Sequence, residues 1–180
     1  MDAEKIIVVP DGIVIQKGKL SPSFVYKAVL DEVLRSYSGC QIFLAPANSF
    51  GYDLKEQFVA YDYLISRNKK LDIVVFDVDI NIYIDTWGNA KLLKQYLNTS
   101  FSNCNFDRQP FTLVVGYLHA KRARLCFEKN GFNIHKCVKV AYDINEKENM
   151  PIRLFYYKYK FLHLFYECIA ILLIFLKRRS

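Results

Sequence analysis

"VVGYLHAKRARLCFEKNGF", residues 114–132, decides how this chain folds. It opens on a β-branched apolar run that ends at Gly116. A pattern with helical spacing then follows, and Asn130-Gly131 stops it. A run of β-branched residues without alternation reads as a strand buried on both faces, and the second spacing reads as one apolar stripe of a helix. A glycine just past the last periodic residue is a helix stop. A buried strand leading directly into a helix is half of a parallel crossover unit. His119 and Arg122 stand at the junction.

Working outward, the same alternation repeats. "KIIVVPDG" (5–12) is an apolar strand closed by a loop, and Ser21-Pro22 reads as the start of a first helix, a hydroxyl cap followed by proline. "QIFLAPANSFG" (41–51) is a second strand with its loop; Asp53, with Glu56 three residues on, offers a capping box for a helix running to about Arg67. "LDIVVFDVD" (71–79) is a third strand. "DTWGNAKLLKQYL" (85–97) is a third helix capped by Asp85 or Thr86. "FTLVVG" (111–116) is the fourth strand, 119–130 the fourth helix, "FNIHKCVKVAYD" (132–143) the fifth strand, and Ile152 to Leu176 a last helix. Strict β-α alternation predicts a Rossmann-like, three-layer αβα sandwich with a mainly parallel sheet of about five strands. The division expected is one domain over residues 1–150, followed by an apolar and basic helix over 151–180.

Charge narrows the function classes. The net charge is +7, but residues 153–180 hold six basic side chains against Glu167, so +5 belongs to this segment and +2 to the first 152 residues. A nucleic-acid binder carries its basic patch on the body of the domain, and this body is nearly balanced, so no nucleic-acid partner is expected. Five cysteines without a CxxC pair and three scattered histidines lack zinc-ligand spacing and read as reduced thiols. "MDAEKIIVVP" has neither the charge nor the apolar length of a secretory signal, so the chain reads as cytoplasmic.

In open parallel sheets ligands bind beyond the carboxyl ends of the strands. Those ends are Asp11-Gly12, Pro46 to Ser49, Asp77 to Thr86 and Gly116 to His119. Helix N-termini there present free N–H groups and partial positive charge, which suits phosphate or carboxylate. His119 and Arg122, at i and i+3, share one face of the first turn: Arg122 as a bidentate anion donor, His119 as a donor or as the acid–base group. The plainer alternative is a helix cap and a surface arginine. Asp85, Thr86 and Asn89 shape the pocket and Asp11, Gly12 and Asp77 line it. Gly88 in a helix's first turn suggests close approach of a ligand or of neighbouring backbone. Asp77 and Asp79 share a face if the strand persists, but two acids are a thin ligand set and no metal is expected. The chain has no GxGxxG after its first strand, no phosphate-binding P-loop and no nucleophile elbow.

The ordered blocks Asp85-Thr86-Trp87-Gly88-Asn89-Ala90 and His119-Ala120-Lys121-Arg122-Ala123 resemble the "DT-x-x-NA" and "H-x-x-RA" blocks of the ElyC/SanA/YdcF family, also called domain of unknown function 218. Glu56 resembles the family's helix-two acid. The resemblance covers roughly residues 5–142. The chain departs from the family's pattern at Pro10-Asp11-Gly12, Ala45-Pro46-Ala47 and Val115-Gly116, which makes it a divergent member. The resemblance implies a Rossmann-like fold and a link to bacterial cell-envelope biogenesis. The ligand classes carried forward are nucleotide-like or phosphorylated compounds, S-adenosylmethionine among them. The rival expectation is a non-catalytic envelope-assembly or membrane-tethered interaction protein with a vestigial pocket.

The last helix leaves three readings open. Ile169 to Leu176 is apolar all round, but a bilayer span needs about 20 such residues, and Glu167 would sit near its middle. The helix packs on the domain, lies at the inner face of the cytoplasmic membrane, or crosses it.

Overall fold

The computed structural model describes residues 4–78, 83–101, 106, 108–143 and 159–176. Five strands, β1 (Lys5–Val8), β4 (Gln41–Leu44), β5 (Asp72–Val74), β6 (Pro110–Gly116) and β7 (Asn133–Val140), form one sheet in the order β5-β4-β1-β6-β7. Every pairing in this sheet is parallel. Helices α1 (Phe24–Ser36), α2 (Glu56–Ile65), α3 (Thr86–Ser100) and α4 (Ala120–Lys129) make the crossovers, and α5 (Lys160–Leu176) follows. The expected three-layer Rossmann-like architecture is what the chain adopts.

The alternation of side chains along a strand divides the core into two layers. Ile6 and Val8 of β1 pack with Tyr26, Val29, Leu30 and Val33 of α1 and with Ala60 and Leu64 of α2. Ile7 points the other way, into Leu93 and Leu97 of α3 and Ala123, Cys126 and Phe127 of α4. All of these side chains are fully buried. Each large aliphatic one stabilises the fold by about 1.5–3 kcal/mol relative to an exposed position. The continuous apolar runs of β1 and β6 therefore reflect a sheet covered on both sides.

Three local expectations are corrected. Residues 13–22 are not a loop into a helix: β2 (Ile13–Gln16) and β3 (Lys19–Pro22) form an antiparallel hairpin. Lys17 and Gly18 turn it with positive φ of 51° and 75°, the twist that two-residue hairpin loops require. Ser21-Pro22 is hence strand, and Ser23 caps α1, its hydroxyl accepting from the Tyr26 N–H at 3.1 Å. Asp53 does not cap α2, which starts at Glu56 after Lys55 without a side-chain cap and ends at Ile65, short of Arg67. The third strand shrinks to Asp72–Val74 at the sheet edge, where one neighbour supplies its hydrogen bonds. Asp85, of the two alternatives, caps α3, accepting from the Gly88 N–H at 2.8 Å. The stretch proposed for the start of the last helix, 152–158, lies outside the described residues.

The strand order reverses direction between β1 and β6. Chain leaving β1 moves toward β4, and chain leaving β6 moves toward β7. The loops on either side of this switch point diverge and leave the crevice in which such folds bind ligands.

Candidate functional site

Asp11 follows β1 and His119 follows β6, one on each side of the switch point. The two side chains meet in the crevice: His119 Nδ1 lies 2.8 Å from Asp11 Oδ1. Asp11 Oδ2 accepts from the Gly116 N–H at 3.1 Å. Gly116 allows this approach, because a Cβ there would fall 2.9 Å from Asp11 Oδ2 and 2.8 Å from Val25 Cγ1. On the far side of the imidazole, Nε2 lies 3.0 Å from the hydroxyl of Thr86, the first residue of α3. Asp11, His119 and Thr86 are all buried. A carboxylate only accepts, so Nδ1 carries its proton toward Asp11, while Nε2 and the Thr86 hydroxyl share a hydrogen bond whose donor is set by the state of the ring. A hydroxyl, an imidazole and an orienting carboxylate in series is the arrangement that activates a hydroxyl nucleophile or passes a proton.

A second buried acid borders this chain of bonds. Glu56, at the start of α2, accepts from the Gly12 N–H at 2.6 Å. Gly12 has a φ of 97°, which favours glycine, and that conformation helps turn its N–H toward the carboxyl group. Burial raises the Glu56 carboxyl to about 8, against backbone hydrogen bonds from Gly12 and Asn48, and the nearby Asp11 adds to the rise. The Tyr26 phenol is pushed well above its ordinary value by burial and by Glu56 and Asp11, and its hydroxyl has no hydrogen-bond partner among the described residues. Asn89 donates its amide to the Pro46 carbonyl, and Asn48 exchanges two bonds with the backbone of Ile84, each 2.8 Å. These contacts tie the loop after β4 to the start of α3.

Arg122 faces a different partner from the one its position suggested. Its guanidinium forks onto Glu167 of α5, with Nε at 2.6 Å and Nη2 at 2.8 Å from the two carboxylate oxygens. His163 Nε2 approaches the same carboxylate at 3.5 Å, and the Tyr142 hydroxyl lies 3.2 Å from His163 Nδ1. Burial opposes a charge on Glu167, but His119, His163 and Arg122 outweigh it and bring the carboxyl down to about 2.

Two adjoining pockets share Thr86 and Arg122. The smaller, of about 40 Å³, is polar and is lined by Asp11, Gly12, Glu56, Asn89 and His119 as well. The larger, of about 570 Å³, lies between α3, α4 and α5, with Asp85 and Trp87 at one side and Cys126, Leu173 and Ile174 at the other. Of the residues expected at the site, Asp11, Gly12, Asp85, Thr86, Asn89, His119 and Arg122 border these pockets. Asp77 does not: it is exposed and bonds the Lys55 ammonium at 2.6 Å. Asp79 lies outside the described residues. Gly88 makes room for the Ile84 side chain, 3.0 Å from where its Cβ would stand. Among the described residues no cluster of histidine, cysteine and acidic side chains could hold a metal ion. Sequence reasoning missed Glu167 and the depth of Glu56. A lone glutamate in the most apolar helix of the chain was the available signal for the first, since such a group is retained where a cation meets it.

Comparison with protein-family models, with curated proteins and with solved structures finds no match.

Proposed function

We propose that this chain binds a small phosphorylated or nucleotide-like ligand at the carboxyl edge of its sheet, with His119 as the acid–base group and Thr86 as its hydroxyl partner. The observation that carries the reading is the buried series Asp11–His119–Thr86, which lines the small polar pocket and reaches at Thr86 the adjoining cavity of about 570 Å³, a volume within the range of small-molecule sites. The starts of α3 and α4 meet at Thr86 and His119, so the positive ends of two helix dipoles face the place where the ligand would sit. The residues that carry the ElyC/SanA/YdcF resemblance, Glu56, Asp85, Thr86, Asn89, His119 and Arg122, border the two adjoining pockets. That is the support for an envelope-linked role of the same kind.

A second reading rests on Arg122. Its bidentate bond to Glu167 satisfies the guanidinium from within the chain, which favours a non-catalytic assembly protein with a closed pocket. One experiment separates the two. Thermal unfolding is followed with nucleotides, nucleotide-sugars and S-adenosylmethionine, for wild type, His119→Ala and Thr86→Val. A working site gives at least one compound that raises the melting temperature of wild type, with the rise reduced in both variants. No rise with any compound overturns the first reading and leaves the second.

A further inference from the structure

Helix α5 is amphipathic in the reverse of the usual sense. Over its 17 residues the buried side chains are His163 and Glu167, both polar. The outward face is Phe161, Leu164, Phe165, Cys168, Leu172 and Phe175, all exposed, with Phe161 at 77% and Leu172 at 59%. These positions fall three or four residues apart, so they form one continuous stripe. Scattered exposed apolar residues are ordinary, but a contiguous stripe along a whole helix marks a surface that something else covers.

The charges around the stripe identify what covers it. Glu167 is the only acid between Lys160 and Leu176, and it is turned inward onto Arg122. Lys160 is exposed at the start of the helix; in the sequence Lys158 precedes it, and Lys177, Arg178 and Arg179 follow. An apolar, aromatic-rich face bounded by lysine and arginine matches the boundary between acyl chains and anionic headgroups. The described helix, Lys160–Leu176, is about 26 Å long at 1.5 Å per residue, Glu167 is held in the domain by its ion pair, and among the described residues no helix is long and apolar enough for a span.

We propose that α5 docks the domain onto an anionic membrane surface, lying in the plane of the interface with Phe161, Phe165, Leu172 and Phe175 among the acyl chains and the basic residues against lipid phosphates. The surface is distinct from the pocket, which α5 borders with its other side.

The test uses the full chain in sedimentation with vesicles of equimolar phosphatidylcholine and phosphatidylglycerol, and with vesicles of phosphatidylcholine alone. Wild type partitions onto the anionic vesicles, less onto the neutral ones, and less at high salt. A combined variant, Phe161→Ser, Phe165→Ser, Leu172→Ser and Phe175→Ser, loses at least about a hundredfold in partitioning and keeps its thermal transition. A wild-type measurement stands beside it: the exposed Cys168 thiol, on the same face, is alkylated more slowly when anionic vesicles are present. Three results overturn the proposal: no binding of wild type to anionic vesicles, unchanged alkylation of Cys168, or a stable dimer in vesicle-free solution that the variant abolishes. In the last case a second copy of the chain covers the face.

Discussion

Glu56 and Glu167 are equally buried, each 3% exposed, and each touches the edge of the same site. Their acidities move in opposite directions, to about 8 for Glu56 and about 2 for Glu167. Desolvation disfavours both charges. Glu56 receives backbone N–H groups, which are dipoles, and has Asp11 as its charged neighbour. Glu167 receives the Arg122 guanidinium and has the His163 imidazole beside it. Dipoles soften the cost of burial but do not reverse it here; a paired cation does. One wall of the site therefore holds a carboxyl group that keeps its proton at neutral pH, and the other holds a carboxylate.

The severest way to break the comparison is to remove the cation. Arg122→Met leaves Glu167 buried without its fork and costs roughly 3–5 kcal/mol by urea unfolding, whereas Arg122→Met combined with Glu167→Met recovers most of that loss. Equal loss in the single and double variants would show that the pair contributes little beyond packing.

The second way uses pH, with opposite signs for the two acids. Glu167 is depressed, so its stabilisation is present above the ordinary carboxyl range and is lost as pH falls from about 4.5 toward 2. Glu56 is raised, so its contribution is present below about 4.5 and is lost as pH rises toward 8. Glu56→Gln removes this decline, on the order of 5 kcal/mol between the two ends of that window. Urea midpoints across the range check it; a decline that persists in Glu56→Gln belongs to another group.

The smallest change sharpens the account of Glu56. Asp11→Asn removes the like charge beside it, the least of the causes of its rise, so the Glu56 titration moves down by less than about one pH unit. Carbon-detected NMR of the carboxyl group follows this directly. No movement would mean that burial alone sets the value.

Most of this architecture was legible in the sequence, because its signals are periodic. Buried parallel strands are apolar without alternation, the crossover helices carry their stripes, and the strand ends are where polar residues begin. That logic found Asp11, Thr86 and His119, each at the end of a strand or the start of a helix. The hairpin at 13–22 was passed over because Lys17-Gly18 is a weaker turn signal than Asn-Gly, and because Ser21-Pro22 imitates a helix start. The partners of Arg122 and Glu56 were not legible for another reason. Glu167 lies 45 residues from Arg122, and Glu56 lies 44 from Gly12. No local pattern encodes which side chains meet across such distances; only the packing of α5 on α4, and of α2 beside the loop after β1, decides it.

Trp87 has a consequence of its own. It is the only tryptophan in the chain, and it stands in the wall of the larger cavity beside Thr86. The protein thus carries a built-in optical reporter at one address. Indole emission responds to the polarity of its surroundings and to quenchers, so any molecule entering between α3 and α5 changes the colour or brightness of the whole protein's fluorescence. Occupancy of this cavity can be read in real time, at dilute concentration, without a dye.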